Sequence, residues 1–221
     1  MNHERAKVSP DAGADLAEVG VGPWIGPIPD DSRLDPELLE LGDRRNVVDK
    51  YRYWRMDAIV EELDRHRFPF HVAIENLEHD MNIGSVVRSA NAFMAAEVHI
   101  VGRRRWNRRG AMVTDRYQHV RNHSDVYELA TWAAANNLPV IGIDNLPGSV
   151  PIETFALPRE CILLFGQEGA GLTPAAGEVV TACLSIAQFG STRSINAGAA
   201  AAIAMHAWIR QHSFGQLPES S

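Results

Sequence analysis

The sequence predicts an α/β fold in which a mostly parallel sheet carries helices on both faces. From residue 70 onwards, short apolar runs alternate with helical patterns, which is typical of repeated strand–helix units. Three of the apolar runs lead into polar or glycine-rich loops, and a helical pattern follows each loop. Because an open α/β sheet presents its ligand loops at the carboxyl ends of its strands, these three loops predict one shared site.

The elements follow from the spacing of apolar residues and from helix-capping residues. We expect strands at Phe70–Glu75, Val98–Val101, Leu138–Ile143, Cys161–Phe165 and Cys183–Ala187. We expect helices near Ile83–Met94, Asp125–Asn136, Thr173–Val180 and Asn196–Gln211. Ser124 and Thr173 are predicted N-caps, and Pro174 suits the first helical position.

The segment before residue 70 is predicted to be an acidic head with a helical extension. Residues 1–33 are rich in Gly, Pro and Asp and have few periodic apolar residues, so we expect them to be flexible. Helical patterns follow at Asp35–Leu41 and from Tyr51 to about Arg65. These patterns divide the chain into residues 1–69, an α/β domain at residues 70–214 and a tail at residues 215–221.

The net charge of −7 alone argues against a nucleic-acid partner, but the charge is unevenly distributed. Residues 1–45 hold ten carboxylates against five Lys or Arg, whereas residues 86–121 hold eight Arg against two carboxylates. Such a charge run is often a solvated surface, but here arginines interleaved with a tryptophan favour phosphate contact and base stacking. The predicted nucleic-acid-contacting residues are Arg103, Arg104, Arg105, Trp106, Arg108 and Arg109.

Several protein classes are excluded or disfavoured. No apolar run reaches the roughly 18 residues that span a bilayer, and the N-terminus lacks a signal-peptide core, so we expect a soluble cytoplasmic protein. Cys161 and Cys183 lie in apolar runs and are predicted to be reduced core residues. The nine histidines form no metal-binding motif, so no metal site is predicted. A hydrolase nucleophile elbow and a dinucleotide fingerprint are both missing from the sequence.

The first loop reads Asn82-Ile-Gly84-Ser-Val-Val-Arg88 and opens the first helix of the α/β domain. It places helix N-terminal amides, and then Arg88, near the carboxyl edge of the sheet. Taken alone, the pattern also allows Asn82 to be a helix cap and Arg88 to be a surface residue.

The second loop, Phe165-Gly-Gln-Glu-Gly-Ala-Gly171, packs three glycines and one carboxylate into the turn after a strand. Glycine lets a backbone approach a ligand closely, although the spacing matches neither a dinucleotide fingerprint nor a phosphate-binding P-loop. The third loop, Gly190-Ser-Thr-Arg-Ser-Ile-Asn196, joins a strand to an alanine-rich helix. Ser194 or Asn196 could instead cap that helix.

In order and spacing the three loops resemble the signature motifs of the SpoU, or TrmH-like, RNA 2′-O-ribose methyltransferases of the SPOUT superfamily. The resemblance covers roughly residues 71–210. It implies a C-terminal deep trefoil knot, a homodimer, and methyl transfer from S-adenosyl-L-methionine to RNA. It assigns the reaction centre to Asn82, Arg88, Glu168, Ser194 and Asn196. It assigns the cofactor site to Gly166, Gly169, Ile186 and Ile195.

The sequence departs from the family pattern at Met94, where glycine is common, and at Ala187-Gln188 and Ala197-Gly198. A guanidinium keeps its proton in proteins, so we expect Arg88 to hold phosphate and stabilise a developing alkoxide rather than act as a base. The alanine-rich Ala197–Ala204 stretch and the helix through Trp208 are predicted to form the dimer face.

Transfer RNA is the predicted substrate because the head is too short and too acidic to resemble an added ribosomal-RNA-binding domain. Two alternatives stay open at this point. The first is the same reaction on ribosomal RNA. The second is an RNA-binding protein that has lost catalysis, which the intact reaction-centre residues disfavour.

Overall fold

The computed structural model describes residues 20–76, 82–167 and 169–218. Contacts between residues divide the chain into two units. The first unit ends at Ile59, and the second begins at Val60. This boundary lies inside the second predicted helix, and the predicted domain bounds at residues 69 and 214 stay a prediction. Among the described residues, no helix has both the length and the apolar character needed to cross a membrane.

The first unit has a short helix and a buried carboxylate. Helix α1 (Pro36–Leu41) begins as predicted, because the Asp35 side chain accepts hydrogen bonds from two backbone amides of its first turn. Val21 pairs with Asp43 in an antiparallel bridge, so this part of the segment expected to be flexible has ordered contacts. Burial opposes ionisation of Asp43, but hydrogen bonds from Arg45 and from the Tyr53 amide lower its pKa to about 2.

Helix α2 (Met56–Asp64) begins later than the predicted start at Tyr51. A 3-10 turn occupies Asp49–Tyr51, and Tyr53 adopts a left-handed backbone conformation with φ 62°. A left-handed residue interrupts a right-handed helical path, so the apolar periodicity runs on through a segment that is not one helix.

The second unit holds a seven-stranded, all-parallel sheet with the strand order β3-β2-β1-β6-β4-β7-β5. The strands are β1 (Phe70–Asn76), β2 (Val98–Gly102), β3 (Val120–His123), β4 (Val140–Ile143), β5 (Val150–Pro151), β6 (Cys161–Phe165) and β7 (Ala182–Ser185). The helices are α3 (Ile83–Ala92), α4 (Val126–Ala135), α5 (Pro174–Val179) and α6 (Ala197–His212), with 3-10 turns at Arg108–Ala111, Thr114–Arg116 and Ile152–Thr154. The predicted α/β fold with a parallel sheet is confirmed.

Helices cover both faces of the sheet, as predicted. On one face, residues of α3 and α6 pack with Phe70, Val72 and Ile74 of β1 in one core cluster. On the other face, residues of α4 and α5 pack with Ala73 of β1 and with alternate residues of β6. Trp208 was expected on a dimer face, but it is fully buried against Phe70, with the two ring centroids 4.5 Å apart.

Three details differ from the predicted elements. Asp125, not Ser124, caps α4, because the Asp125 carboxylate accepts from the Glu128 amide while Ser124 donates to the Glu128 side chain. Strand β7 ends before Ile186, because the Ala187 amide donates to Glu153 instead of to a strand. Strands β3 and β5 were not predicted.

The strands next to the site end at the same level. Phe165 at the end of β6 is in register with Ile74 of β1 on one side and with Ile143 of β4 on the other. Ile143 is in register with Leu184 of β7. The loops after β1, β4, β6 and β7 therefore emerge along one edge of the sheet.

Candidate active site

A cavity of about 360 Å³ lies at the carboxyl edge of the sheet, between the loops that follow β4, β6 and β7. All four residues predicted to bind a cofactor line it, and so do Ser194 and Asn196. The residues lining the cavity are Ile143, Asp144, Asn145, Leu146, Phe165, Gly166, Gln167, Gly169, Ala170, Gly171, Ile186, Gln188, Ser194, Ile195, Asn196, Ala197 and Ala200. The structure thus brings the second and third loops together.

The second loop folds back on itself where it borders the cavity. The backbones of Gln167 and Gly171 exchange two hydrogen bonds, of 3.1 and 3.0 Å. A Cβ atom at Gly166 would overlap the Gly171 backbone, and Gly171 itself has a left-handed φ of 71°. From the sequence, we expected these glycines to let the backbone approach a ligand closely. In the structure, the turn of the loop itself requires Gly166 and Gly171.

Two carboxylates fix the end of the second loop, one from each strand beside β6. Asp144, directly after β4, accepts a hydrogen bond from the Leu172 amide at 2.8 Å. Glu75, buried in β1, accepts from the amide of Thr173 at 2.9 Å and from its hydroxyl at 2.6 Å. Thr173 is the N-cap of α5, as predicted, so both carboxylates hold the point where the loop becomes a helix.

Asp144 and Asn145 are cavity residues that the sequence reasoning missed. The signal for them was present, because they directly follow an apolar run predicted to be a strand. Asn145 also donates a side-chain hydrogen bond of 3.3 Å to the Arg193 carbonyl, which ties the loop after β4 to the third loop.

The first loop is connected to the cavity through Asn196. Its side-chain Nδ2 donates to Oδ1 of Asn82 at 2.8 Å. Its Oδ1 accepts from the Ala199 amide at 3.1 Å and so caps α6. Asn196 therefore has the capping role that the sequence left as an alternative and also lines the cavity, while its role in the reaction centre stays a prediction. The Asn82 side chain makes no capping hydrogen bond to α3.

Arg88 is exposed on α3, one turn beyond Ser85. Ser85 lies close to the start of α6, where its Cβ is 3.2 Å from the position a Cβ would take at Gly198. Within the described parts of the chain, the Arg88 guanidinium makes no hydrogen bond or ion pair, so it is available to a ligand. Glu168 lies outside the described residues, and its role stays a prediction.

The arginine loop, residues 103–109, follows β2 and is held by one buried side chain. Asn76 donates from Nδ2 to the carbonyls of Arg103 and Arg105, at 2.5 and 3.1 Å, and its own carbonyl accepts from the Arg103 amide at 2.8 Å. The five arginine side chains of the loop are exposed. Trp106 packs partly against the core, with the Arg108 guanidinium 5.8 Å from its ring centroid, so its predicted stacking on RNA stays a prediction.

The arginine loop also touches the helix that carries Arg88. A Cβ atom at Gly84 would lie 2.7 Å from the backbone of Gly110, immediately after the loop. Real side chains do not approach backbone this closely, so glycine at position 84 permits the contact. The start of α3 and the end of the arginine loop are packed backbone against backbone.

Proteins similar to this chain share one family. The model of the SpoU rRNA Methylase family matches residues 69–206, a segment that contains all three loops. A protein of Mycolicibacterium vanbaalenii, named an uncharacterized tRNA/rRNA methyltransferase, is 30% identical over 172 residues, which are 74% of this chain and 54% of that protein. The tRNA (guanosine(18)-2′-O)-methyltransferase of Escherichia coli K12 is 23% identical over 160 residues, which are 71% of this chain and 70% of that enzyme.

A solved structure agrees with these relatives. The crystal structure of AviRb, a SpoU methyltransferase of Streptomyces viridochromogenes in complex with AdoMet, superimposes with a TM-score of 0.61 at 25% identity. The superposition covers 66% of this chain and 59% of AviRb. The chain spans about half the length of the mycobacterial relatives it matches.

Proposed function

The chain belongs to the SpoU rRNA Methylase family, and on this premise we propose that it transfers a methyl group from S-adenosylmethionine to a ribose 2′-hydroxyl of RNA. The observation that carries the proposal is the 360 Å³ cavity between the second and third loops, which Asn196 connects to Asn82 and α3. S-adenosylmethionine is the cofactor of the family, and AviRb was solved with it.

The cavity suits this cofactor in size and chemistry. Its volume falls within the range of about 300–1,000 Å³ that is usual for ligand pockets. Ile143, Phe165, Ile186 and Ile195 offer apolar surface for an adenine ring, and the polar groups near Asp144 suit hydroxyl or ammonium groups. When bound, the cofactor supplies a methyl group already activated on a sulfonium.

The residues of this chain would then orient the acceptor and stabilise its charge. Arg88 carries a fixed positive charge and an exposed planar guanidinium, which can hold an RNA phosphate and stabilise the alkoxide that forms as the 2′-hydroxyl loses its proton. The proton would leave to phosphate or water. Asn82 and Asn196 would align the ribose, because their side chains already fix each other.

We favour transfer RNA as the substrate. The Escherichia coli relative named for a tRNA guanosine matches 71% of this chain. The arginine loop supplies exposed positive charge for the phosphate backbone, and the acidic residues 1–45 do not resemble an added ribosomal-RNA-binding domain. Ribosomal RNA is the alternative that the experiment below distinguishes.

The trefoil knot implied by the resemblance remains part of this proposal. Its support is membership of the family, and the strand order, in which β6 lies between β1 and β4 and β7 between β4 and β5, is consistent with it. Threading is rare in protein folds, but the family is among its exceptions.

We also propose a homodimer. With Trp208 buried, the candidate contact surface of α6 is its exposed stripe of Ala199, Ile203, His206 and Arg210, in which Ile203 is 42% exposed. A two-fold interface uses the same patch of both subunits, and in this stripe Ile203 offers exposed apolar surface beside the small side chain of Ala199. Light scattering at micromolar concentration should give twice the chain mass of 24.4 kDa, and a monomer would contradict the proposal.

The deciding experiment is methyl transfer from labelled S-adenosylmethionine to tRNA and to ribosomal RNA taken from cells that lack the gene, followed by mass spectrometry of the nucleosides. A 2′-O-methylated nucleoside in tRNA is the expected product. Label in ribosomal RNA alone would contradict the substrate preference, and label on a base would contradict the chemistry. Cofactor and RNA binding without transfer would identify an RNA-binding protein that has lost catalysis.

A further inference from the structure

A row of three histidines crosses strands β1, β2 and β3 on the sheet face covered by α4. Nδ1 of His71 lies 3.0 Å from Nε2 of His99, and Nδ1 of His99 lies 2.9 Å from Nε2 of His123. His71 and His99 are the second residues of their strands, so they lie at the amino edge of the sheet, opposite the cavity edge. The proposed methyl transfer makes no use of this row.

A carboxylate completes a cluster of possible metal ligands at this edge. Glu97, just before β2, offers an oxygen that lies with ligand nitrogens of His71 and His99 inside a span of 4.8 Å. The other partner of Glu97 is Arg121, whose Nε donates to Oε2 at 3.1 Å and leaves the second carboxylate oxygen for a further contact. Trp132 covers the cluster, with its ring centroid 4.5 Å from that of His99.

The two ring nitrogens that face each other share one proton, because Nδ1 of His71 lies within hydrogen-bond distance of Nε2 of His99. Binding an ion between these nitrogens requires that proton to move to another ring nitrogen or to solvent, so Zn²⁺ affinity at this cluster should rise with pH.

We propose that His71, Glu97 and His99 form a structural site for a first-row divalent ion of the Zn²⁺ type. Nδ1 of His71, Nε2 of His99 and one oxygen of Glu97 would be the ligands, a nitrogen-and-oxygen set that Zn²⁺ accepts. Two nitrogens at bonds of about 2.0 Å lie about 3.3 Å apart in a tetrahedral site, close to the 3.0 Å separation here.

Two further features support the site. His99 can donate from Nδ1 to His123 while its Nε2 binds the ion, and a hydrogen bond of this kind commonly orients a metal-bound histidine. A second cavity of about 220 Å³, lined in part by His71, Trp132 and Glu160, opens beside His71 and provides a path for an ion. The bound ion would join β1 to β2 at the edge away from the cofactor cavity.

The test is calorimetric titration of the untagged, chelator-treated 221-residue chain with Zn²⁺, together with Co²⁺ as a visible-absorption probe of tetrahedral ligands. We expect stoichiometric Zn²⁺ binding, a higher melting temperature with the ion, and intense Co²⁺ absorption. Glu97→Gln and His71→Asn should each weaken Zn²⁺ binding by at least about tenfold, the scale seen even for outer partners of metal ligands.

The matched control is His66→Asn, which removes an exposed histidine outside the cluster, just after α2, and should leave Zn²⁺ affinity unchanged. Both cluster variants replace side chains that are not fully buried, and circular dichroism would verify their folding. Equal Zn²⁺ affinity in wild type and in the folded Glu97→Gln variant would overturn the proposal. So would a melting temperature that does not respond to Zn²⁺.

Discussion

Asn196 and Asn82 are joined by a hydrogen bond of 2.8 Å between side chains that are 114 residues apart in the chain. The same Asn196 side chain caps α6 through its oxygen. One residue thus sets both the start of α6 and the position of the first loop, so its loss should affect stability and activity together.

Asn196→Ala is expected to lower the free energy of unfolding by about 1 kcal/mol through loss of the cap. It should also reduce the methylation rate by about tenfold or more, because the hydrogen bond that aligns Asn82 with the cavity is lost. Asp125→Ala is the matched control, since it removes the N-cap of α4 at a comparable cost in stability without touching either loop. Equal activity losses in the two variants would contradict the site role of Asn196.

Arg88→Ala should lower the single-turnover methylation rate by at least about a hundredfold at saturating RNA, which is the scale for losing one donor to a developing oxyanion. Cofactor affinity should stay nearly unchanged. Arg88→Lys should restore only part of the rate, because an ammonium cannot make the planar two-pronged contact. The control is Arg65→Ala, which removes an exposed arginine directly after α2. A near-wild-type rate in Arg88→Ala would remove Arg88 from the mechanism.

Asn76→Ala should loosen the arginine loop without removing any positive charge, because it deletes both side-chain hydrogen bonds that hold the carbonyls of Arg103 and Arg105. We expect weaker RNA binding and a shallower dependence of affinity on salt. Replacing Arg103, Arg105 and Arg109 by Gln should lower the salt slope further, by up to about three. Asn136→Ala serves as control. An unchanged slope in the triple variant would assign the loop to another partner.

Met94→Gly should stabilise the fold. Met94 follows α3 with a left-handed φ of 57°, a conformation that costs a side-chain-bearing residue about 1–2 kcal/mol and glycine little. The gain is expected to be at most about 1 kcal/mol, since glycine also raises the entropy of the unfolded chain. Asn137→Gly at φ 58° is the matched control, because asparagine tolerates this region. Urea unfolding that shows Met94→Gly to be less stable than wild type would contradict this account.

The histidine row predicts loss of stability in mild acid. Unfolded histidines take up protons below about pH 6.5, whereas folded His71 does so only near a pKa of about 4 and His99 near a pKa of about 2. The unfolded chain therefore binds more protons in this window, and stability falls as pH decreases from 7 towards 4, by at most about 1.4 kcal/mol per pH unit and group. Urea unfolding in chelator at pH 7 and at pH 5 should show a smaller loss for His71→Asn than for wild type. Parallel losses would contradict the assignment.

The sequence predicts an element well where a run of apolar residues coincides with the bounds of a buried strand. Cys161–Phe165 is predicted to the residue because five consecutive apolar side chains are buried on both faces of the sheet. Val120–His123 escapes prediction because only its first residue is apolar, and because Arg121 and His123 contact other side chains rather than water alone. The local sequence pattern carries no information about such contacts between side chains of different strands.

The three loops predicted which residues line the candidate site, but not the hydrogen bonds that hold these loops in place. Gly166, Ile186 and Ser194 line the cavity as their loops suggested. Glu75 and Asp144 hold the second loop, and Asn76 holds the arginine loop, through bonds to residues up to 98 positions away, and no local signal marks such a partner. The histidine row was missed for the same reason, since only the register of three parallel strands places its members diagonally on one face of the sheet.

The backbone contact between Gly84 and Gly110 has a consequence for how RNA would be selected. Because no side chain separates the arginine loop from the first turn of α3, neither can shift far without displacing the other. Under the proposed function, this contact would limit how much the span between a phosphate bound by the loop and a ribose presented to Arg88 can vary. Distance along the folded RNA backbone would then contribute to the choice of the methylated nucleotide.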